Sequence, residues 1–209
     1  MDQAREMLCS SVEQFVAATA AKQPTPGGGS VAGLVAALAA ALGEMSLNFT
    51  RGKKKYAEHE AFHAHLGARL EKTRRMFLDL IADDVTAYGM YAQTSQMPDG
   101  PGKKEAEALA LAAAIDVPRE TAKLALALQE DLLSLADKCN PWLLSDLIAA
   151  GTLAAAVTVL CDLNVRINAK HLSEAAAAAD LRAASTADRA RAAELAEQIE
   201  KATQARLDG

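Results

Sequence analysis

The sequence predicts an all-α fold: a bundle of long helices in a single domain over residues 1–209. Hydrophobic residues make up 51% of the chain but aromatic residues only 4%, and alanine dominates the apolar set. Alanine is the best helix former and fills a sheet core poorly. No segment alternates apolar and polar residues for long enough to form a strand. A chain of 209 residues can bury one core, and no shift in composition divides it.

The first two helices are predicted on either side of a segment rich in proline and glycine. Apolar residues at helical spacing predict a helix over residues 2–20, which that segment ends. A second helix is expected from Ser30 to about Phe49, and it is apolar on two faces, so it should lie centrally. Its small residues let a neighbouring backbone approach closely. The large stripe contains Val31, Leu34, Val35, Leu38, Leu42, Met45 and Phe49, and the small stripe contains Gly33, Ala36, Ala37, Ala40 and Gly43.

The rest of the chain also follows helical spacing, with breaks at QMPDGPGKKE and at Asn140-Pro141. A bend or interruption is expected at Pro118, because proline lacks a backbone N–H. The tail is rich in alanine and dotted with charges, which is typical of an outer helix or of one between subunits. The predicted helices cover residues 57–94, 103–138, 142–169 and 173–207.

Charge and cysteine content limit the partners and the compartment. The formal net charge is -5 and the sequence pI is about 5.4, which argues against a large basic face for nucleic acid or an anionic membrane. Three cysteines at wide spacing are typical of a reducing cytosol. The first ten residues lack the apolar core of a secretory signal, and the uncharged run over residues 23–43 has a helical part below the ~20 residues that span a bilayer. We therefore expect a soluble, cytoplasmic protein.

The stretch PTPGGGSVAG, from Pro24 to Gly33, allows two interpretations. Pro24 and Pro26 hold the residues before them out of the helical region, and Ser30 is a good N-cap, so the stretch suits an ordinary helix start. Three consecutive glycines, however, leave several N–H groups bare at the positive end of a helix dipole. A carboxylate or a ring carbonyl of a ligand can bind there. The sequence alone leaves the two interpretations at about even odds.

A basic cluster follows this helix in RGKKKY, with Arg51, Lys53, Lys54 and Lys55. Cations near a helix C-terminus interact favourably with its carbonyl groups, usually by well under ~1 kcal/mol each. Four cations in five residues exceed that need. In a protein with net negative charge they predict a site for a compact polyanion.

Two stretches contain candidate catalytic carboxyl groups. In ADDVTAY, Asp83 and Asp84 are adjacent and Tyr88 lies one turn after Asp84. Their apolar neighbours predict that one aspartate points inward, where burial raises the pKa of a carboxyl toward values useful for general acid or base catalysis. Asp146 lies in the mostly apolar NPWLLSDLIAAG with no cation nearby in sequence, and a buried carboxylate is costly.

Two asparagines follow Asp146 on the same predicted helix. Asn164 comes five turns later, which places it ~27 Å along the helix axis, so the two residues cannot share a compact site within one helix. Asn164 and Asn168 are expected to tie the far helix end by side-chain hydrogen bonds.

HEAFH, from His59 to His63, matches the H-E-x-x-H pattern of zinc hydrolases, with Asp83 or Asp84 as a third ligand. The flanking residues are polar and amphipathic, which favours solvated histidines on an exposed helix face. A zinc hydrolase is therefore kept as an alternative, as is a catalytically silent helical binding protein.

The chain resembles the cyclodeaminase/cyclohydrolase family of folate enzymes. This family comprises the cyclodeaminase half of formiminotransferase-cyclodeaminase and stand-alone bacterial methenyltetrahydrofolate cyclohydrolases. The matching elements run in family order over residues 24–170, and the glycine-rich stretch followed by the basic cluster is the most specific pair. The elements are PTPGGGSVAGLVAALAAALG, TRGKKKY, Asp84-x-x-Ala-Tyr88, DVPRETA, NPWLLSD and LNVRINAK.

The resemblance implies a dimeric helical bundle that uses no metal and no cofactor beyond its tetrahydrofolate substrate. A cyclohydrolase of this family hydrolyses 5,10-methenyltetrahydrofolate to 10-formyltetrahydrofolate. A cyclodeaminase converts 5-formiminotetrahydrofolate to the methenyl form and releases ammonia. The sequence carries no formiminotransferase domain and has the GKKKY form, which favours the cyclohydrolase; the cyclodeaminase remains the alternative.

The resemblance also gives partners to the candidate residues. Asp84 is expected to be the base that activates water and Asp146 the protonated partner, in one pocket at or near a subunit boundary, although their roles are exchangeable. A polyglutamylated folate would direct its tail toward Lys53 and Lys54. The expected substrate-binding residues are Pro26, Gly27, Gly28, Gly29, Ser30, Lys53, Lys54, Tyr88, Asn140 and Ser145.

Overall fold

The computed structural model describes residues 3–207, with side chains from residue 6 onward. Over this range the structure consists of helices and contains no strand, so the predicted all-α class is confirmed. The α-helices are α1 (Gln3–Leu8), α2 (Val12–Ala20), α3 (Gly28–Asn48), α4 (Glu60–Thr94), α5 (Pro101–Leu135), α6 (Leu144–Ala169) and α7 (Ala175–Leu207). Short 3₁₀ helices at Lys54–His59 and Pro141–Leu143 precede α4 and α6.

Helices α3 to α7 form one bundle around a shared core, in which α3 packs against α4 and α6 while α7 covers α5 and α6. The small stripe of α3 faces inward, as predicted. A Cβ atom added at Gly33 would lie 2.6 Å from Cγ1 of Ile81, and one added at Gly43 would lie 2.6 Å from Cδ2 of Leu132. These two glycines therefore allow the close approach of α4 and α5 to α3.

Helix α3 is antiparallel to α6, which gives the bundle two distinct ends. At one end Gly28 faces the side chain of Asn164. At the other, the Asn140 backbone N–H donates to Oγ1 of Thr50 at 2.9 Å, and Nδ2 of Asn140 donates to the carbonyl of Phe49 at 3.2 Å. We call these the glycine end and the loop end. With 21 residues in α3, they lie ~30 Å apart.

The large stripe of α3 is only partly covered by the rest of the chain. Leu38 is 53% exposed and Phe49 is 58% exposed. On the neighbouring α6, Leu163 and Ile167 are 49% and 57% exposed. We call these four residues the uncovered face, and they leave apolar surface on the two helices without a partner in this chain.

Helices α3 and α6 are also long and apolar enough to cross a membrane, judged by length and composition alone. The sequence analysis expected the helical part of the first run to be too short; at 21 residues it is not. The most apolar windows of the two helices are 56% and 44% buried within the bundle. Core helices of soluble proteins meet the same criterion, so the finding is weak evidence for a membrane.

The predicted first helix is two helices. Residues 9–11 separate α1 from α2, and Ser11 caps α2 in a capping box with Gln14, because a serine followed three residues later by glutamine starts a helix well. Helix α2 has no buried residue, and Val12 is 82% exposed.

Of the bend or interruption predicted at Pro118, the interruption does not occur, because α5 runs unbroken through this residue. Proline cannot donate to the carbonyl four residues earlier, that of Ala114. Nδ2 of Asn168 donates to this carbonyl at 2.8 Å. Asn168 thus ties α6 to α5, as expected of a structural asparagine, and satisfies the acceptor that Pro118 leaves free.

We predict that Asn168→Ala destabilises the protein by about 1 kcal/mol, because the partly buried Ala114 carbonyl loses its donor. Urea unfolding followed by circular dichroism measures the change. Asn48→Ala is the matched control, since Asn48 is exposed near the end of α3. Equal stability of both variants would show that the bond contributes nothing.

Candidate functional site

The carboxyl group of Asp84 lies against the start of α3. Oγ of Ser30 donates to Oδ2 of Asp84 at 2.7 Å. A Cβ atom added at Gly29 would lie 2.0 Å from Oδ1 of Asp84, so only glycine leaves room for the carboxyl. The glycine-rich stretch therefore does hold a carboxylate at a helix N-terminus, and this carboxylate belongs to the chain itself.

Ser30 is not the N-cap that the sequence predicts. Gly27 occupies the N-cap position, and Ser30 lies inside the first turn of α3, fully buried. Its side chain is directed toward α4, where Asp84 accepts its hydrogen bond. The helix therefore begins earlier, and the serine positions the carboxyl group.

Burial raises the pKa of Asp84 above its ordinary value of 3.8, and the smaller effect of hydrogen bonds from the hydroxyl and backbone of Ser30 opposes this rise. A carboxyl with a raised pKa exchanges its proton closer to neutral pH, as a general acid or base requires. Because the folded-state pKa exceeds the unfolded one, the stability that Asp84 contributes is complete below pH 3.8 and is lost as pH rises through the raised value.

A cavity of about 720 Å³ opens beside Asp84, between α4, α5 and the C-terminal part of α6. Its walls include Tyr88, one of the predicted binding residues, and also Asn164. The titratable residues among those that line it, besides the tyrosines, are Asp84, Glu107 and His171, with no lysine or arginine. The cavity therefore favours a neutral or cationic group and disfavours an anion.

The sequence analysis missed Asn164 as a site residue. Both Nδ2 and Oδ1 of Asn164 lie 3.9 Å from the position of a Cβ atom at Gly28, next to the glycine that accommodates Asp84. Nδ2 donates to the Leu160 carbonyl at 3.1 Å, and Oδ1 accepts no hydrogen bond from any residue between 3 and 207. The Asn164 carboxamide and the Asp84 carboxyl thus lie against two adjacent residues of α3, Gly28 and Gly29. The sequence contained one signal for this position: the helical spacing placed Asn164 far from Asp146, at the other end of the same helix.

Behind the carboxyl, Cys161 is almost fully buried. Burial, with a further contribution from the charge of Asp84, raises the pKa of the Cys161 thiol to about 12. The thiol therefore stays protonated near neutral pH and is not a nucleophile.

Asp146 and Ser145 lie at the loop end, in the first turn of α6. Asp84 and Asp146 do not line one pocket within a single chain, because the length of α3 separates the ends by ~30 Å. The predicted pocket at a subunit boundary stays a prediction. Asp146 is half-buried at a helix N-terminus, where the backbone N–H groups favour a carboxylate. This position explains an acid in an otherwise apolar helix.

The other predicted binding residues divide between the two ends. Gly28, Gly29 and Ser30 lie at the glycine end, where Thr25 and Pro26 are buried just before α3. Lys53 and Lys54 lie exposed at the loop end, where Asn140 is buried against Phe49 and Thr50. Within one chain, the basic cluster and the cavity are therefore far apart.

The histidines of HEAFH do not form an exposed pair. His63 is fully buried, and its Nε2 lies 3.2 Å from the Lys138 carbonyl. Burial lowers its pKa, and the hydrogen bond to Lys138 partly offsets this effect. Within residues 3–207, no three histidine, cysteine, aspartate or glutamate side chains lie close enough together to hold a metal ion. Asp84, one of the two expected third ligands, accepts a hydrogen bond from Ser30 instead.

Comparison with known proteins identifies the family. The family model of formiminotransferase-cyclodeaminase matches residues 11–187. A methenyltetrahydrofolate cyclohydrolase of Methylorubrum extorquens is 34% identical over 171 residues, which cover 79% of this chain and 82% of that protein. The chain belongs to the formiminotransferase-cyclodeaminase family. The predicted resemblance is therefore confirmed.

Two other relatives represent the cyclodeaminase branch of this family. A formimidoyltransferase-cyclodeaminase of Dictyostelium discoideum is 35% identical over 137 residues, but the match spans only 26% of that protein. The crystal structure of formiminotetrahydrofolate cyclodeaminase from Thermotoga maritima is 29% identical, with a TM-score of 0.85 over 95% of this chain and 98% of that chain. The fold described above is thus the fold of a cyclodeaminase along nearly its whole length.

We predict that Ser30→Ala moves the acid limb of the pH profile of kcat/KM to higher pH. The change removes a hydrogen bond that favours the ionised form of Asp84, so its pKa rises further. Turnover on the plateau is retained, because the carboxyl remains in place.

The matched control for this prediction is Ser46→Ala. Ser46 is also a fully buried serine of α3, but its Oγ donates to the Leu42 and Leu143 carbonyls near the loop end. Its profile should follow that of the parent protein. An equal displacement in both variants would show that the effect comes from the stability of α3 rather than from Asp84.

Proposed function

We propose that this chain is a methenyltetrahydrofolate cyclohydrolase, which hydrolyses 5,10-methenyltetrahydrofolate to 10-formyltetrahydrofolate in one-carbon metabolism. The observation that carries the proposal is the Asp84 carboxyl, with its raised pKa, at the wall of a cavity of about 720 Å³. The 34% identity to a cyclohydrolase over most of both chains supports this activity.

The charge of the cavity suits the reacting end of this substrate. The methenyl bridge is a cationic carbon between two nitrogens, and the lining residues include two carboxyl groups but no lysine or arginine. The glutamate tail is anionic and is disfavoured there. The pterin end therefore enters the cavity, and the tail points out of it.

In the proposed mechanism, Asp84 moves two protons in sequence. Its carboxylate takes a proton from water as the water oxygen bonds to the bridging carbon. The protonated Asp84 then donates to N5 as the bond between this carbon and N5 breaks, with the electron pair staying on nitrogen. Loss of the hydroxyl proton to solvent forms the formyl group on N10, and one proton is released overall.

Asn164 is the proposed orienting group for the attacking water. Its carboxamide lies against Gly28 of α3, and the Asp84 carboxyl lies against the next residue, Gly29. Oδ1 of Asn164 can accept a hydrogen bond from a water held there. A water fixed by one acceptor and one base is directed at the bridging carbon, which reduces the entropy cost of the addition.

The alternative activity is that of a formimidoyltetrahydrofolate cyclodeaminase. The Thermotoga maritima protein of nearly the same length favours it, with 29% identity. Ring closure with loss of ammonia passes through a similar tetrahedral carbon and uses the same proton carrier. Parallel assays of the two substrates separate the activities, because the methenyl chromophore disappears in hydrolysis and appears in deamination.

A homodimer is part of the proposal. The uncovered face is apolar and lies on α3 and α6, the two helices long and apolar enough to cross a membrane, which supports a second copy as its cover. A two-fold axis that pairs α3 of one copy antiparallel to α3 of the other brings the loop end of one copy to the glycine end of the other. Asp146, Ser145, Lys53 and Lys54 of one copy then adjoin the cavity of the other, so the predicted site residues come together between subunits.

Several finer expectations stay proposals. The enzyme uses no cofactor beyond its tetrahydrofolate substrate, acts in the cytoplasm, and binds neither nucleic acid nor membrane. Its net charge of -5 supports the absence of polyanionic or anionic-membrane partners. Polyglutamylated folates are its preferred substrates, because four cations are available for their carboxylates.

We predict that Asp84→Asn lowers kcat with 5,10-methenyltetrahydrofolate by ~10²-fold or more, the usual effect of losing a general acid or base. The asparagine preserves shape, so the helical circular dichroism signal should be retained. Asp83→Asn is the matched control, because Asp83 is adjacent to Asp84 on α4 but is exposed. Loss of the methenyl chromophore measures turnover, and parent-like turnover of Asp84→Asn would rule out the proposed mechanism.

The same assay distinguishes a silent folate-binding protein. Such a protein would bind methenyltetrahydrofolate without turnover in the parent chain, and Asp84→Asn would then change nothing. A measurable parent rate that falls in the variant supports the enzyme.

We predict that Leu38→Glu converts the dimer into a monomer and lowers turnover. Leu38 is 53% exposed in one chain, so a charge there is compatible with the monomer fold but not with an apolar interface. Light scattering after size-exclusion chromatography gives the mass. Leu109→Glu, at a residue of α5 that is 61% exposed, should remain dimeric. A parent protein that runs as a monomer of 21.9 kDa would contradict the proposed dimer.

A further inference from the structure

The two most exposed large apolar side chains among residues 6–207 lie in different parts of the molecule. Trp142 is 88% exposed and Val12 is 82% exposed. Trp142 lies at the loop end, where its backbone N–H donates to Oδ1 of the buried Asn140 at 3.4 Å. Val12 begins α2, the helix before the glycine end. Both side chains stay exposed, so neither covers the other within one chain.

Helix α2 is attached to the glycine end through residues 21–27, the link that joins it to α3. Thr25 and Pro26 of this link are buried just before α3. The end of α2 is satisfied locally, because Nε2 of Gln23 donates to the Ala18 carbonyl at 3.0 Å. A second copy that approaches the glycine end therefore meets a formed helix there.

The core of this chain does little to stabilise α2. The helix has 9 residues and none of them is buried, although Phe15 and Ala18 are half-buried. Isolated helices shorter than ~12–15 residues are marginal in water, and a good N-cap adds only ~1 kcal/mol. Val12 and Val16, one turn apart on the same face, are 82% and 61% exposed. These valines are the apolar surface through which a further contact can stabilise the helix.

The family match includes α2 although the helix adds no buried residue to the core. The match begins at residue 11, the N-cap of α2, and leaves α1 outside. A helix that belongs to the family domain without packing deeply in its own chain points to a role between chains.

Charge also favours the loop end of a second copy as the partner of α2. Residues 2–20 contain three acids, Asp2, Glu6 and Glu13, but only one base, Arg5. The basic cluster at the loop end is exposed, and none of its four cations forms a salt bridge within the part of the chain that the structure describes. The two surfaces therefore attract each other when they approach.

We propose that Val12 and Val16 of α2 pack against Trp142 of a second copy, and that a two-fold axis forms this contact twice. The antiparallel pairing of α3 brings the loop end of one copy to the glycine end of the other, so these two apolar surfaces meet. Their burial removes the most exposed apolar side chains of each copy from water. The contact rests on the proposed homodimer but not on the proposed reaction.

Trp142 is the only tryptophan of the chain, so intrinsic tryptophan fluorescence reports on this contact alone. The emission wavelength and acrylamide quenching are measured on the 209-residue chain at concentrations where light scattering gives a dimer. We expect emission at shorter wavelength and weaker quenching in the parent dimer than in the Leu38→Glu monomer. In the monomer, Trp142 should behave as a solvated indole, because it is 88% exposed in one chain.

A valine variant assigns the contact to α2. Val12→Ser with Val16→Ser should expose Trp142 and raise the dissociation constant of the dimer by ~10-fold or more, since each substitution acts twice in a two-fold dimer. Serine and valine have similar helix propensities and neither valine is buried, so the monomer should keep its fold. Ala17→Ser is the matched control, because Ala17 is exposed on the same helix but lies ~100° around its axis from Val16. It should keep the emission and the mass of the parent protein.

Three results would overturn the contact and leave the homodimer in place. The first is a parent dimer whose Trp142 is quenched as strongly as in the Leu38→Glu monomer. The second is a Trp142 that stays protected in that monomer, and the third is a valine variant that remains dimeric with Trp142 as protected as in Ala17→Ser. A parent protein that runs as a monomer would refute the contact together with the dimer.

Turnover of 5,10-methenyltetrahydrofolate by the same samples tests the proposed reaction separately. A protected Trp142 in a dimer without turnover would refute the reaction and support the contact. Turnover by a dimer whose Trp142 is freely quenched would refute the contact and support the reaction.

Discussion

The contact between the Asp84 carboxyl and the first turn of α3 determines most of the site. The carboxyl occupies the space of a side chain at residue 29, so this residue must be glycine, and α3 and α4 must approach closely there. Ser30 then donates to the buried oxygen. Burial and these hydrogen bonds act on the pKa in opposite directions, and burial prevails. The same contact places the carboxyl at the wall of the cavity, where its proton can be exchanged with a ligand.

The length of α3 imposes the second constraint. A straight helix of 21 residues keeps the acidic cavity and the basic cluster ~30 Å apart, so a single chain cannot apply both to one small molecule. The same helix leaves Leu38 and Phe49 exposed along its length. An antiparallel pairing of two copies addresses both features, because it covers apolar surface and brings opposite ends together. Under this proposal, the interface and the substrate site are built from the same helix.

Sequence patterns predicted the helices well and the distances poorly. Glycine and proline positions predicted the end of α4 at Thr94 and the helix boundary at Asn140. No interruption occurs at Pro118, where Asn168, 50 residues later, satisfies the freed carbonyl, and such a contact has no local signal. Asp84 was recognised from its apolar neighbours. Composition did not reveal that Asp84 and Asp146 lie at opposite ends of α3, so a pocket that contains both requires a second copy.

The contact at Asp84 does not by itself distinguish the two activities of the family. Hydrolysis and deamination both need a group that gives and takes a proton at a tetrahedral carbon, and one carboxyl can do both. The match to a cyclodeaminase structure with a TM-score of 0.85 shows that the helical frame is shared as well. The proposed difference lies in how the cavity holds water for attack or lets ammonia leave. Tyr88 and Asn164 line that wall beside Asp84, so we expect their replacement to change the ratio of the two activities.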